Sequence, residues 1–168
     1  MPMSPYVRSL REKIGNDLLE VPSVSILACD QRDHVLLVRH VDSEFWTTPG
    51  GMVEPYETPA DAAVREMWEE TGLYVELTHI IGVFGGELCG GIYSNGDKIS
   101  WVSTLFGSRR LGGELAPDHQ ETAEARYFSR AEINALKCRP YVAGFLEVAF
   151  QRQRTAFFSP PTWKPQCG

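Results

Sequence analysis

Cysteine is scarce in this chain and never closely spaced. The 168 residues include four, Cys29, Cys89, Cys138 and Cys167, with no C-x-x-C pair and no His at ligand spacing beside them. That pattern excludes a zinc ribbon and a disulfide scaffold and reads as reduced thiols, so the expected location is the cytoplasm. No stretch approaches the roughly 18 apolar residues of a membrane span, and the N-terminus lacks the apolar core of a signal peptide. Positive charge is also in deficit: 16 Lys and Arg stand against 22 Asp and Glu, a net charge of -6. The balance argues against a nucleic-acid coat and a membrane-surface binder. It leaves anionic substrates open, because clustered carboxylates can hold divalent cations that carry phosphate. There is no repeat, long linker or low-complexity tract, and the length suits one domain, residues 1–168.

What is present reads as alternating strands and helices. Val7, Leu10 and Ile14 lie at helical spacing before Gly15, which predicts an amphipathic helix over residues 4–15. VPSVSILAC and HVLLVRH, separated by the polar DQRD, predict a β-hairpin. WTTPGG reads as a short strand breaking into a glycine turn. Strands are expected in YVELTHIIGVF and KISWVSTLFGS, with Asn95-Gly96 favouring a tight hairpin turn between them. A strand over Ala125–Phe128, a short helix capped by Ser129 and Glu132, and a last helix over Tyr141–Arg152 follow. The segment 155–168 holds Pro160, Pro161, Pro165, Phe157, Phe158 and Trp163 and is expected to dock on the domain or on a partner subunit. The class implied is α/β, a mixed sheet between helices.

The strongest helix spans Thr58–Thr71, with Thr58 as cap, Pro59 in its first turn, Ala60, Ala63, Val64 and Met67 as its apolar face, and Gly72 as its stop. Glu66, Glu69 and Glu70 sit at i, i+3 and i+4, within an arc of about 100°. They are expected at the exposed edge of the helix. Glu54 and Glu57 precede them, and Arg65 is the only cation among the five carboxylates. A solvated acidic face is one reading of that cluster. The other is a site for hard divalent cations, which take several carboxylate oxygens and leave positions open for phosphate, with Gly50-Gly51 allowing close backbone approach.

The order of these residues separates the two readings. GMVEPYETPADAAVREMWEETGL, residues 51–73, resembles the Nudix box, the signature of the Nudix hydrolases (MutT-like), with Gly51, Glu57, Arg65, Glu66, Glu69, Glu70, Gly72 and Leu73 in place. Seven fixed letters coincide by chance on the order of once in 10⁸ windows. Met67 stands where the family usually has Ile, Leu or Val, and Tyr56 where many members have glycine.

The resemblance implies a Nudix α/β/α sandwich and hydrolysis of a nucleoside diphosphate linked to another group. The reaction would use Mg²⁺ or Mn²⁺ and release a nucleoside monophosphate by water attack. It implies Glu69 and Glu70 as metal ligands, Glu66 as a ligand or the general base, Gly50 as a carbonyl ligand, Arg65 as the orienter of a neighbouring glutamate, and Glu57 as the anchor of Arg65. A further catalytic acid is expected in PDHQET; Glu121 is preferred to Asp118 and His119, because ETAEARYF resembles the family's acid leading into an aromatic strand. Gly51, Tyr56 and Trp101 are the expected substrate contacts. Among Phe45, Trp46, Phe84, Tyr93 and Trp101, any of which could stack a base, Trp46 is expected to be structural, as are His40 and His79. The ADP-ribose subgroup usually carries a proline shortly after the box, and none lies between Pro59 and Pro117, so ADP-ribose is not expected to be the best substrate. Expected partners are the nucleoside diphosphate derivative, no membrane, and a second copy if the chain dimerises. A non-catalytic nucleotide sensor with the same fold is the alternative.

Overall fold

A computed structural model describes residues 4–93, 95–151 and 155–163. The elements run α1 (Pro5–Ile14), β1 (Leu19–Ala28), β2 (Val35–His40), β3 (Trp46–Thr47), α2 (Pro59–Thr71), β4 (Leu73–Phe84), β5 (Gly90–Ile92), β6 (Lys98–Gly113), β7 (Thr122–Phe128), α3 (Arg130–Ile133) and α4 (Pro140–Phe150). Arg152, the expected end of the last helix, lies outside the described residues, as does Cys167. No helix among the described residues is long and apolar enough to cross a membrane.

The strands form two sheets. The 16-residue β6 pairs with β1 in parallel and with β4 and β5 antiparallel; β2 lies antiparallel between β3 and β7. The expected β1–β2 hairpin is therefore not formed, and a single bridge, Cys29 to Val35, joins the two strands. The polar linker turns the chain out of plane. Asp30 Oδ1 accepts the N–H groups of Arg32 and His34 at 2.8 and 2.9 Å, and Asp33 takes φ 59°. An apolar run marks a strand but not its partner, and β1 gains a longer partner in β6. The Asn95-Gly96 turn does join a hairpin, that of β5 and β6, with Gly96 at φ 89°.

Alternation along the strands distributes the core to both faces. Val24, Ile26, Leu36, Leu73, Val75 and Phe106 pack on Ala62, Ala63 and Met67 of α2. Val35, Leu37, Trp46 and Phe128 pack on Val142 and Leu146 of α4, and Ile81 and Leu105 on Phe145 and Val148. The α/β/α layering expected from the sequence is thus present. The face of α2 is turned by one position: Ala62 is buried and Ala60 exposed, with Val64 half-buried.

Beyond α4, Phe157 lies along the edge of β4. Its N–H donates to Ile81 O at 2.8 Å and its carbonyl accepts from Val83 N–H at 2.9 Å. Its ring stacks on Phe84, 5.2 Å between centroids. Phe158 and Trp163 are exposed. A Cβ at Gly82 would lie 3.0 Å from Phe157 Cβ, so this notch suits glycine. Phe157→Ala is expected to cost about 2 kcal/mol, less than a fully buried Phe, and to lower Tm by about 5 °C. Phe158→Ala should leave the melt unchanged; equal melts for wild type and Phe157→Ala would show that the contact contributes nothing.

Candidate active site

Helix α2 is set by its ends. Thr58 Oγ1 accepts Asp61 N–H at 3.1 Å, Pro59 opens the first turn, and Gly72, at φ 72°, ends it with its N–H on Trp68 O. With Ala62, Ala63 and Met67 committed to the core, the helix rotation turns Glu66 and Glu70 inward. They are 6% and 2% exposed, which corrects the expectation that all three acids stand at an exposed edge; only Glu69 is exposed. Both buried carboxylates face the loop between β3 and α2, where side chains are missing for steric reasons. A Cβ at Gly51 would sit 2.4 Å from Glu66 Oε1, and one at Gly50 2.2 Å from Val24 O. Gly50 donates its N–H to Glu70 Oε2 at 2.9 Å. Hydrogen bonds from Val24 N–H to Gly51 O (2.9 Å) and from Ile26 N–H to Pro49 O (2.8 Å) fasten the loop to β1.

Arg65 ties the acids together. It grips Glu57 through Nε and Nη2 at 2.8 and 2.9 Å. Nη1 donates to Glu66 Oε1 and Glu69 Oε2, both at 2.9 Å, and Nη2 to Met52 O at 3.2 Å. The bidentate pair holds the Glu57 carboxyl below its ordinary pKa and the guanidinium above its own. Burial dominates at the inner pair. It pushes Glu66 up to about 7 against the pull of Arg65 and Glu70 well above the carboxylate range against the Gly50 N–H.

Glu121 enters from the loop before β7. Asp118 Oδ1 shapes that loop by accepting the N–H groups of Gln120, Glu121 and Thr122 at 3.1, 3.0 and 3.0 Å; those bonds, Thr122's foremost, lower its own pKa. Glu121 is half-buried, and burial raises its carboxyl with added repulsion from Asp118 and Glu69. Its charge is felt in turn at Glu66 and Glu70. Glu121→Gln is expected to lower kcat about tenfold or more while KM holds, the pattern of a contact made mainly in the transition state. Asp118→Ala should reproduce part of that loss by releasing the loop. Steady-state kinetics of both variants decide it, and an unchanged kcat in Glu121→Gln returns the residue to the surface.

His40 was expected to be structural, and the structure places it beside Glu70. Its Nε2 is 3.5 Å from Glu70 Oε1, and burial lowers its pKa, so both partners are driven toward their neutral forms. No sequence signal marks this position, the last residue of an ordinary apolar strand. Glu70 Oε1 and His40 Nδ1 are buried without a hydrogen-bond partner.

Among the described residues no three His, Cys, Asp or Glu already stand as a metal cage. Arg65 Nη1 bridges Glu66 and Glu69, neutralising them as a cation would. The donor set nevertheless fits a hard divalent ion: carboxylate oxygens on one helix face, one of them orphaned, in a site whose burial penalises uncompensated negative charge.

Next to this cluster opens a cavity of about 340 Å³, between β1, β5, β6, the 47–52 loop and the first turn of α4. Gly51, Ser25, Thr48, Trp101, Tyr141 and Arg139 are among its lining residues. Trp101 meets Tyr141 edge-on at 5.6 Å, and Tyr141 Oη shares a 2.8 Å hydrogen bond with Thr47 Oγ1. Tyr56 is not brought to the cavity. Its ring is fully exposed and its backbone takes φ 68°, the left-handed conformation that glycine adopts most easily. Trp46 packs in the core against Phe128 at 4.7 Å.

Comparison with known proteins bears on the fold and the family. A Bacillus subtilis protein provisionally named an 8-oxo-dGTP diphosphatase is 33% identical over 108 residues, which cover 64% of this chain and 66% of that protein. Diphosphoinositol polyphosphate phosphohydrolase 2 of Mus musculus is 47% identical over 58 residues, 33% of this chain and 31% of that one. The chain thus aligns with less than two thirds of the length of these relatives. The crystal structure of a UDP-X diphosphatase superposes with a TM-score of 0.64 at 21% identity, covering 87% of this chain and 68% of the other, and shares the fold. The model of the NUDIX domain matches residues 19–147, from the start of β1 into α4, and the chain therefore belongs to the Nudix family.

Proposed function

We propose that this protein is a divalent-metal-dependent pyrophosphohydrolase that cleaves a phosphoanhydride in a nucleoside diphosphate derivative and releases a nucleoside monophosphate. The observation that carries the reading is the pair of buried carboxylates, Glu66 held by Arg65 and Glu70 with one oxygen lacking a hydrogen-bond partner, behind the Gly50-Gly51 edge of a cavity. Glu66, Glu69, Glu70 and the Gly50 carbonyl would hold Mg²⁺ or Mn²⁺. When bound, such an ion lowers the pKa of its water and neutralises charge developing on the leaving phosphate. Arg65 holds Glu66 and Glu69 in place and closes the loop through Glu57. Glu66, raised to about 7, and Glu121 are the groups suited to take a proton from the attacking water near neutral pH. Gly51 and Trp101 border the place where the rest of the substrate lies.

The cavity also bears on the substrate class. Its ionisable lining side chains beyond tyrosine are His40, Asp42 and Arg139, too few cations for a polyphosphorylated ring such as the one named for the mouse relative. Aromatic walls and hydroxyl groups suit a nucleoside. The test is a screen of nucleoside triphosphates, nucleotide sugars, dinucleotides, ADP-ribose and capped RNA with Mg²⁺ or Mn²⁺, with ¹⁸O-water locating the attacked phosphorus. Nucleoside monophosphate is the expected product, with ADP-ribose not the best substrate. Binding without cleavage of any of them would make the protein a nucleotide sensor.

A further inference from the structure

Helix α1 and the residues after it precede the NUDIX match, and their contacts converge on the turn between β5 and β6. Arg11 Nη2 donates to Lys98 O at 2.8 Å, and Nε lies 3.6 Å from Asp97 Oδ2, with both side chains about nine-tenths buried. Nη1 fixes the other side of the guanidinium on Gly15 O and Asp17 O at 3.1 and 2.7 Å. Asp97 is itself the organiser of the turn: Oδ2 accepts from Asn95 Nδ2 and its carbonyl from Tyr93 N–H, both at 2.9 Å. Asn16 completes the contact, accepting Lys98 N–H and reaching Asn95 O, each at 3.4 Å. A Cβ at Gly96 would meet Asn16 Nδ2 at 2.8 Å.

The residues on either side of this turn form one wall of the cavity: Gly90–Tyr93 before it, Ile99 and Trp101 after it. β5 is only three residues long and pairs with β6. Two of those three are glycine, which bring no side chain to pack, so the Gly90–Tyr93 side of the wall depends on what holds the turn.

We propose that Arg11 is a positioning residue for substrate: by clamping Asp97 and Lys98 onto α1 it fixes the Gly90–Tyr93 side of the wall opposite Trp101 and so sets affinity for the nucleoside part that enters. The proposal rests on the pyrophosphohydrolase reading of the neighbouring site. Arg11 touches no part of the acid cluster, so its loss acts on binding rather than on the chemical step. A clamp and its ligand are linked reciprocally, so loosening the wall weakens binding by the free energy needed to order it again.

The test uses the full chain with Arg11→Met, which keeps the apolar stem, and Arg11→Lys, which keeps a charge beside Asp97. Hydrogen exchange is read over residues 90–101 without ligand, and kcat and KM on ATP, GTP, UTP and UDP-glucose. In Arg11→Met, exchange of the 90–101 amides should quicken about tenfold while α2 is unchanged, and KM should rise about tenfold with kcat held within about twofold. Arg11→Lys should fall between this variant and wild type in both. Unchanged exchange would show that Arg11 does not hold the wall and overturn the proposal. Faster exchange with unchanged KM would overturn it differently, by showing that the wall does not touch substrate, and would leave the hydrolase reading standing. Where none of the four is cleaved, the same constants are read on the best substrate of the wider screen; failure of the wild type to hydrolyse any compound of that screen with Mg²⁺ or Mn²⁺ would remove the reading on which the proposal rests, and the proposal with it.

Discussion

Glu70→Gln is expected to lower kcat by about 10²- to 10³-fold and, in the same protein freed of metal, to leave Tm unchanged or raise it by a few degrees. The two signs come from one fact. Glu70 is 2% exposed, one oxygen accepts the Gly50 N–H, and the other has no hydrogen-bond partner, with His40 Nε2 3.5 Å away. A carboxyl buried in that state is costly to ionise, and the isosteric amide removes that cost while it can keep the Gly50 bond. The same charge is what a divalent ion would need, so the substitution trades a metal ligand for a better-satisfied core. Parallel melts and kinetics with and without chelator check it. A loss of activity accompanied by a large drop in the metal-free Tm would mean instead that Glu70 serves the fold.

Arg65→Ala should have the second-largest effect and, unlike the first, should harm fold and activity together. The side chain makes five hydrogen bonds, to Glu57, Glu66, Glu69 and Met52. It is 30% exposed, so solvent tempers the loss. A cost of about 2 kcal/mol is expected, below that of breaking a fully buried pair, with a Tm lower by about 6 °C. Activity should fall about 10²-fold as the ligand carboxylates lose their orientation. Arg65→Lys should not restore it, because an ammonium cannot make the forked contact with Glu57. The pH dependence has a definite sign. Glu57 has a lowered pKa in the folded protein, so its pairing contributes stability above the ordinary carboxylate value of 4.5 and loses it as pH falls through the folded value. The Tm gap between wild type and Arg65→Ala should therefore be full at pH 7 and narrow below about pH 4.5. A gap that widened with acid would contradict the role given to the Glu57 pair.

The legible part of this molecule was local. Thr58, Pro59 and Gly72 mark the ends of α2 because capping and the left-handed stop are decided within a few residues. Ser129 and Glu132 make their capping box for the same reason. The spacing of Glu66, Glu69 and Glu70 is likewise a property of any helix. Which of them is buried is not, since that depends on the rotation imposed when Ala62 rather than Ala60 meets the sheet. β1 and β2 look like a hairpin in sequence because strand propensity carries no record of the partner, and β6, seventy residues away, outcompetes the neighbour. The approach of His40 to Glu70 and of Arg11 to Asp97 is not legible in the sequence for a related reason. Each acts through residues distant in the chain, Glu70 and Asp97, and neither sits in a pattern with a period or a spacing to read.

In the proposed function, Glu66, Glu69 and Glu70 hold a divalent ion without which the phosphoanhydride is not cleaved. The most direct measurement is nucleoside monophosphate release from the best substrate of the screen as free Mg²⁺ is raised from chelator, in wild type and in Glu70→Gln. The expected result is no release in chelator, saturable recovery in the wild type, and a midpoint at least about tenfold higher, or no recovery, in the variant. Equal release with and without chelator, or one midpoint for both proteins, would contradict it.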